Sequence, residues 1–123
     1  MTVFVTGAAG FIGFHMCEAL LVRGEAVIGL DNLNEYYDVA LKEARLERLK
    51  GHDGFKFIHA DICDKDAMQQ AARTADDARA VLHLAAQAGV RYSLTNPSAY
   101  VETNIVGQLA ILEMCRHLPN LAH

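Results

Sequence analysis

Residues 1–16, MTVFVTGAAGFIGFHM, decide the fold. An apolar run at the start of this stretch predicts a buried strand over residues 2–6, and glycines at three-residue spacing follow it at once. From Phe11 the pattern becomes helical and continues to Gly24, a residue typical of helix C-termini. The apolar positions at helical spacing are Ile12, Met16, Ala19 and Leu20. The stretch therefore predicts a strand, a glycine turn and a helix in direct succession.

The rest of the chain repeats the alternation of strand and helix. Apolar runs predict further strands at 26–30, 55–60 and 80–86. Helices are predicted at 38–50, after Asp64 with Ala67, Met68, Ala71 and Ala75, and at 99–117 with Val101, Ile105, Leu109 and Leu112 on one face. Pro119 ends the last helix.

This order of elements predicts an α/β fold. Most of the strands are continuously apolar, which is typical of a parallel sheet covered by helices on both faces. Right-handed crossovers then give the strand order 3-2-1-4, the first half of a Rossmann-like doubly wound sheet. No linker, repeat or low-complexity tract interrupts the sequence, so residues 1–123 are expected to form one domain.

Composition excludes several classes of function. The formal net charge of −4 argues against binding to nucleic acid or to an anionic membrane. No apolar run approaches the ~20 residues that span a bilayer, and the N-terminus lacks a secretion signal, so a cytoplasmic protein is expected. Cys17, Cys63 and Cys115 are odd in number and far apart. They predict neither a disulfide framework nor a metal site, and we expect all three to be small buried hydrophobic residues.

The glycine turn predicts a nucleotide site. Gly7, Gly10 and Gly13 lie between a predicted strand and a predicted helix, where a side chain would keep a ligand's phosphates away from the backbone. The helix N-terminus offers unpaired N–H groups and a partial positive charge, which suit a pyrophosphate. The alternative is a tight turn that needs small residues for its own sake.

Asp31 at the end of the second strand bears on the choice of cofactor. Its carboxylate is placed to accept hydrogen bonds from the adenosine ribose, and its charge would repel a 2′-phosphate. The nearest basic residue after it is Lys42. The pattern therefore favours NAD over NADP. The alternative is that Asp31 only caps a helix or a turn.

Four segments carry a family resemblance: TGAAGFIG (6–13), DNLNEYYD (31–38), ADI (60–62) and HLAAQAGVRYS (83–93). Together they resemble the extended short-chain dehydrogenase/reductase family, and most closely the nucleotide-sugar epimerases that act at C4 of UDP-glucuronate. The first segment is shared with dehydratases and reductases of the family, and only the loop AQAGVRYS (86–93) speaks against those alternatives.

The resemblance implies a set of NAD contacts. The implied cofactor residues are Gly7, Gly10, Phe11, Ile12 and Gly13 at the pyrophosphate, Asp31, Asn32, Leu33 and Asn34 around the adenosine ribose, Asp61 and Ile62 beside adenine, and Leu84, Ala85, Ala86, Gln87, Ala88 and Thr103 towards the nicotinamide. Asn104 is interpreted as structural, His83 as a hydrogen-bonded core histidine, and Tyr36 and Tyr37 as packing over the adenosine edge.

Arg91 is the implied contact for the UDP-sugar. It follows the fourth strand, where the family places the sugar nucleotide, and its guanidinium suits a carboxylate or a phosphate. The alternative is an exposed arginine that only aids solubility.

The catalytic pair of the family is missing from this sequence. The family uses a tyrosine four residues before a lysine, whereas the residues four after Tyr36, Tyr37, Tyr92 and Tyr100 are Ala40, Leu41, Asn96 and Asn104. No catalytic residue and no metal ligand is therefore predicted. The chain ends at LPNLAH (118–123), where the resemblance places the start of a fifth strand. We expect a truncated, NAD-binding portion of an epimerase that does not turn over UDP-sugar alone.

A second hypothesis is a binding or self-associating module. An apolar fourth strand without its neighbour leaves an exposed edge, and such edges tend to pair with another chain. We therefore expect a homo-oligomer that forms through this edge or through the apolar face of the helix at 99–117.

Overall fold

The computed structural model describes residues 1–123 and contains one parallel four-stranded sheet in the order β3-β2-β1-β4. The strands are β1 (Thr2–Thr6), β2 (Ala26–Asp31), β3 (Phe55–His59) and β4 (Ala78–His83). The predicted fold class and strand order 3-2-1-4 are confirmed.

Helices follow each strand. They are α1 (Phe11–Val22), α2 (Val39–Lys50), α3 (Lys65–Thr74), α4 (Tyr92–Thr95), α5 (Pro97–Val101) and α6 (Gly107–His117), with a π-helical turn at Glu102–Val106 between the last two. Asp38 and Asp64 begin α2 and α3, and each carboxylate accepts a hydrogen bond from a main-chain N–H of the first turn. None of these helices is long and apolar enough to cross a membrane.

The core has two layers, one on each face of the sheet. Val3 and Val5 of β1 pack into the layer with α1 and α2. Phe4, between them, points to the opposite layer, which contains residues of α3 and α6. β1 is therefore buried on both faces, which explains why its sequence is apolar without alternation.

Two predicted elements have wrong boundaries. The fourth strand was expected at 80–86, but β4 begins two residues earlier, at Ala78, and ends at His83. It ends there because the main chain of Leu84 and Ala85 turns to bond the Thr6 side chain. The single helix expected at 99–117 is divided by the π-helical turn, and the preceding short helix α4 was not predicted. The sequence stays apolar across both positions, so its hydrophobicity does not show where the strand ends or where the helix is divided.

The predicted faces are wrong for α1 and for the last helix, whereas for α3 the predicted Met68, Ala71 and Ala75 are buried. In α1 the buried side chains are Phe14, Cys17, Leu20 and Leu21. Of the predicted positions only Leu20 is among them, and Ile12 is 62% exposed. In the last helix Gly107, Ile111 and Met114 are buried. The predicted face, by contrast, is exposed at Val101 (51%), Ile105 (64%), Leu109 (59%) and Leu112 (55%). Both helices are apolar on more than one side, so helical periodicity does not select the buried side.

The cysteines and the β4 edge also differ from expectation. Only Cys17 is fully buried, and this burial raises the pKa of its thiol to about 12, whereas Cys63 and Cys115 are half-buried. The edge of β4 is partly covered: the Val81 N–H donates to the His123 carbonyl at 2.9 Å, and the Ala122 N–H donates to the Arg79 carbonyl at 2.9 Å.

Candidate functional site

A cleft of about 430 Å³ lies at the carboxyl edge of the sheet, between the loops that follow the four strands. This is the position where parallel α/β sheets bind ligands, and its volume falls within the range of small-molecule sites. All the predicted cofactor residues except Leu33 line the cleft, and Arg91 does not. The structure thus brings four separate sequence motifs to one place.

Two of the three glycines are required by the protein's own backbone. Gly7 has φ +71°, and a Cβ there would lie 2.9 Å from the Leu84 carbonyl carbon and from the Ala85 nitrogen. A Cβ on Gly13 would overlap the Gly7 carbonyl oxygen. We expected all three glycines to leave room for a ligand. At Gly7 and Gly13 the first reason is different, because a side chain there would collide with the protein's own backbone.

Gly10 differs from the other two. Its φ of −72° and ψ of 172° suit any residue, and a Cβ would meet only the Gly7 carbonyl oxygen, at 3.2 Å. Beside it, the N–H groups of Phe11, Ile12 and Gly13 donate to no acceptor in the protein, and no side chain caps α1. Free amides at a helix N-terminus form a site for an anionic group such as a phosphate.

Asp31 is buried beneath this turn. Its two carboxylate oxygens accept hydrogen bonds from the Ala9 N–H at 3.0 Å and the Leu33 N–H at 2.8 Å. The Lys42 ammonium lies 3.9 Å from the carboxylate and is itself nearly buried. The negative charge that was expected to repel a 2′-phosphate is thus paired with a cation, while each oxygen keeps a lone pair for a ribose hydroxyl.

Three side chains fix the loop after β2. The Asp31, Asn32 and Asn34 side chains each accept a hydrogen bond from the main-chain N–H two residues later, at 2.8, 3.0 and 2.7 Å respectively. These consecutive Asx turns give the motif its spacing of polar residues. Leu33 has φ +54° and packs against the core instead of the cleft. The Lys42 ammonium also donates to the Asn34 carbonyl at 2.9 Å.

A buried hydroxyl joins β1 to the chain leaving β4. Thr6 Oγ1 accepts hydrogen bonds from the Leu84 N–H at 3.0 Å and the Ala85 N–H at 3.1 Å. Its own proton therefore goes to His83 Nδ1, 2.7 Å away. Burial lowers the pKa of His83, which favours the neutral ring that this arrangement requires. The geometry agrees with the interpretation of His83 as a hydrogen-bonded core residue.

Replacing Thr6 with valine is expected to lower the free energy of unfolding by about 2 to 4 kcal/mol. The Ala85 N–H and the His83 nitrogen lose their partner, and the Leu84 N–H keeps only its longer bond to the Thr6 carbonyl, at 3.3 Å. Urea unfolding followed by circular dichroism measures the change. Thr2→Val on the same strand is the control, since the Thr2 hydroxyl bonds only an exposed Asp77 carboxylate, and it should change stability by about 0.5 kcal/mol or less. Equal effects of the two substitutions would contradict the role given to Thr6.

The π-helical turn places Thr103 and Asn104 beside the cleft. Asn104 Oδ1 accepts from the Gln87 N–H at 2.8 Å, and its amide nitrogen donates to the Gln87 carbonyl at 3.1 Å. This pairing holds the main chain that lines the cleft, in agreement with the structural interpretation of Asn104. π-helical turns often occur at functional sites. Arg91 lies exposed at the start of α4 and has no ion-pair partner.

Sequence reasoning missed two basic residues of the cleft. Lys42 and Arg45 lie three residues apart on α2 and both line it. The Arg45 guanidinium donates to the Ala9 carbonyl at 3.1 Å and stacks over the Phe11 ring at 6.0 Å. The signal in the sequence was this pair of basic residues at helical spacing directly after the DNLNEYYD segment.

A parallel sheet in the order 3-2-1-4, with a glycine turn at its carboxyl edge between β1 and α1, defines the Rossmann-like class of α/β proteins. Within this class, the family model described as GDP-mannose 4,6 dehydratase matches residues 4–122. The chain belongs to this family.

Among individual proteins, the chain is similar to UDP-glucuronate 4-epimerases. The chain is 47% identical over 116 residues to a probable UDP-glucuronate 4-epimerase of Rhizobium meliloti (strain 1021), which covers 94% of this chain and 34% of the relative. It is similar to the crystal structure of UDP-glucuronic acid 4-epimerase from Bacillus cereus in complex with UDP-glucuronic acid and NAD. That match has a TM-score of 0.87 and 37% identity, over 98% of this chain and 38% of the other.

A dehydratase is similar as well. The crystal structure of the dTDP-glucose 4,6-dehydratase DesIV from Streptomyces venezuelae, which also contains NAD, matches 94% of this chain and 35% of its own with a TM-score of 0.78 at 31% identity. The present chain spans about a third of the length of the proteins it resembles.

Proposed function

We propose that this chain is the NAD-binding portion of a nucleotide-sugar epimerase that acts at C4 of UDP-glucuronate or a related UDP-sugar, and that residues 1–123 form one cofactor-binding domain. The observation that carries the proposal is the row of three free amides at Phe11, Ile12 and Gly13, which open onto the cleft beside Gly10. The relatives described as epimerases, together with the AQAGVRYS loop, favour an epimerase over a dehydratase or a reductase.

The residues of the cleft fit the parts of a dinucleotide. The free amides and the dipole of α1 bind the pyrophosphate. Asp31 accepts from the adenosine ribose hydroxyls, with Asn32 and Asn34 beside it. The remaining contacts are Asp61 and Ile62 at adenine, and Leu84, Ala85, Ala86, Gln87, Ala88 and Thr103 at the nicotinamide. Bound NAD would supply a hydride acceptor for C4 of the sugar.

The chain provides the cofactor site without the general base. Because no tyrosine precedes a lysine by four residues, we expect binding of NAD without turnover of UDP-glucuronate by this chain alone. Arg91, which is exposed after β4, is proposed to contact the carboxylate or the phosphates of the UDP-sugar.

Calorimetric titration of wild type and Gly10→Val with NAD and NADP tests the proposal. The valine side chain would occupy the space in front of the free amides, so we expect NAD affinity to fall by about 100-fold or more, as when charge-assisted hydrogen bonds are lost. The backbone at Gly10 suits valine, so the melting temperature should drop by only about 4 °C, the equivalent of ~1 kcal/mol.

Gly51→Val is the matched control. A Cβ on Gly51 lies 3.2 Å from the Arg48 carbonyl oxygen, the same clearance as at Gly10, and Gly51 is remote from the cleft. It should leave NAD affinity unchanged. The proposal would be wrong if Gly10→Val bound NAD as tightly as wild type, or if the purified chain epimerised UDP-glucuronate at a rate that Gly10→Val did not change.

A specific surface supports self-association as a second property. Val101, Ile105, Leu109 and Leu112 are each more than half exposed along one side of the last helices. Large apolar patches of this kind mark interaction sites. We propose that a second copy of the chain covers this face. The β4 edge contributes less than expected, because Ala122 and His123 already cover part of it.

Ile105→Lys is expected to dissociate this oligomer. In a two-fold interface the lysine is introduced twice, and each lost apolar contact is worth about 1.5–3 kcal/mol, so the dimer dissociation constant should rise at least ~100-fold. Sedimentation equilibrium measures it. Val22→Lys is the control, because Val22 is 79% exposed but lies at the end of α1. A wild-type chain that stays monomeric at high concentration would refute the interface.

A further inference from the structure

The four tyrosines of the chain form one group, two members of which line the cleft. We call Tyr36, Tyr37, Tyr92 and Tyr100 the tyrosine cluster. Its ring centroids lie 4.8 Å apart for Tyr36 and Tyr37, 5.0 Å for Tyr36 and Tyr92, and 6.3 Å for Tyr92 and Tyr100. Two of the rings come from the loop after β2 and two from α4 and α5, so the cluster joins segments that are distant in sequence.

Hydrogen bonds and one glycine fix the far side of the cluster. The Tyr100 hydroxyl donates to the Ala88 carbonyl at 3.0 Å and also lies against the Gly89 carbonyl. The Asn96 amide donates to the Tyr92 hydroxyl at 3.0 Å. Gly89 has φ +96°, and a Cβ there would overlap the Tyr36 hydroxyl, so Tyr36 packs directly on this backbone.

Segment 88–96 makes few buried contacts with the rest of the chain. None of its residues is buried, and its apolar side chains Val90 and Leu94 are 86% and 84% exposed. Segments with few buried contacts open at low free energy. The aromatic contact with Tyr36 is thus a main tertiary anchor of the segment that carries Arg91.

The near side of the cluster belongs to the cleft. Tyr36 and Tyr37 line it, and the Tyr36 N–H is bound to the Asn34 side chain at the end of the three Asx turns that begin at Asp31. A ligand that contacts Asp31 therefore acts on a loop whose far end bears the Tyr36 ring.

We propose that Tyr36 is a positioning residue that couples the cofactor cleft to segment 88–96, so that a dinucleotide in the cleft holds Arg91 in place for the sugar nucleotide. The inference rests on the proposed function of the cleft. Tyr36 carries the coupling because its ring pairs with the Tyr92 ring, whereas the Tyr37 ring pairs with no other aromatic ring than that of Tyr36. Coupling between two sites is reciprocal, so an ordered segment 88–96 also favours the dinucleotide.

Hydrogen exchange with mass spectrometry, on wild type, Tyr36→Leu and Tyr37→Leu with and without NAD, tests the coupling. Without NAD, Tyr36→Leu should exchange amides 90–96 about two- to tenfold faster than wild type, the factor expected from loss of one aromatic pair. Tyr37→Leu should match wild type there. With NAD, wild type should gain protection at both 7–13 and 90–96, whereas Tyr36→Leu should gain it at 7–13 alone.

The outcomes separate the two proposals. NAD could protect amides 7–13 in both proteins and also protect amides 90–96 equally in both. That result would overturn the coupling and leave the proposed cofactor site intact. An equal effect of Tyr37→Leu on 90–96 would also overturn it. No NAD-dependent protection at 7–13 in wild type would overturn the proposed function, and the coupling with it. A merely structural role of Tyr36 predicts faster exchange throughout the chain instead of a change confined to 90–96.

Discussion

Replacing Gly13 with alanine is expected to destabilise the chain by about 4 kcal/mol or more, which is a large share of the free energy of unfolding of a domain of this size. The added Cβ would overlap the Gly7 carbonyl oxygen and lie 2.7 Å from the Gly7 carbonyl carbon. Gly7 has no room to retreat, because the backbone of Leu84 and Ala85 lies against its other side. The strain is therefore shared by β1, α1 and the exit of β4.

Circular dichroism and urea unfolding measure this effect. Gly24→Ala is the control, because Gly24 has φ +82° but nothing lies within 4 Å of an added Cβ. That variant carries only the backbone cost of a left-handed residue, about 1–2 kcal/mol. If Gly13→Ala melted within a few degrees of wild type, the close packing of the turn would not be the reason for this glycine.

Asp31→Asn is expected to lower the free energy of unfolding by about 3–5 kcal/mol, because it leaves the nearly buried Lys42 ammonium without a counter-charge. In wild type the two carboxylate oxygens accept from the Ala9 N–H and the Leu33 N–H, one each. The asparagine amide has only one oxygen, so one of these N–H groups loses its acceptor. NAD affinity should fall as well, since the ribose hydroxyls lose a charged acceptor.

The double variant Asp31→Asn/Lys42→Met separates the two effects. Removing the unpaired ammonium should recover part of the stability, whereas NAD affinity should stay low because the carboxylate is still absent. Denaturant unfolding and calorimetry measure the two quantities on the same protein. Full recovery of NAD affinity in the double variant would show that Asp31 acts on binding only through the stability of its surroundings.

Much of the fold was predictable because local signals agree with one another. β1 is apolar without alternation, the glycines follow it directly, and Asp31 ends the next strand, so only a parallel sheet with its turn at the carboxyl edge satisfies all three. Asp38 and Asp64 begin their helices through side-chain hydrogen bonds that the sequence also signals. Apart from Thr103 in the π-helical turn, the residues expected at the cofactor come together because they lie at or just after the ends of parallel strands.

The rest depends on contacts that the sequence does not encode locally. Which side of α1 is buried is decided by the strands beneath it, and the exposed Ile12 is as apolar as the buried Phe14. The end of β4 is decided by the Thr6 hydroxyl, from the far end of the chain. Lys42 joins Asp31 because of the path of the intervening loop, which three consecutive Asx turns set.

The tyrosine cluster also has a spectroscopic consequence. The chain contains no tryptophan, and all four of its phenol rings belong to one cluster that reaches the cleft through Tyr36 and Tyr37. Its tyrosine emission therefore originates from one small region of the surface, instead of being averaged over the whole molecule. A change in that emission reports events at the cleft without any attached dye, because the buried layers on either side of the sheet contain no tyrosine.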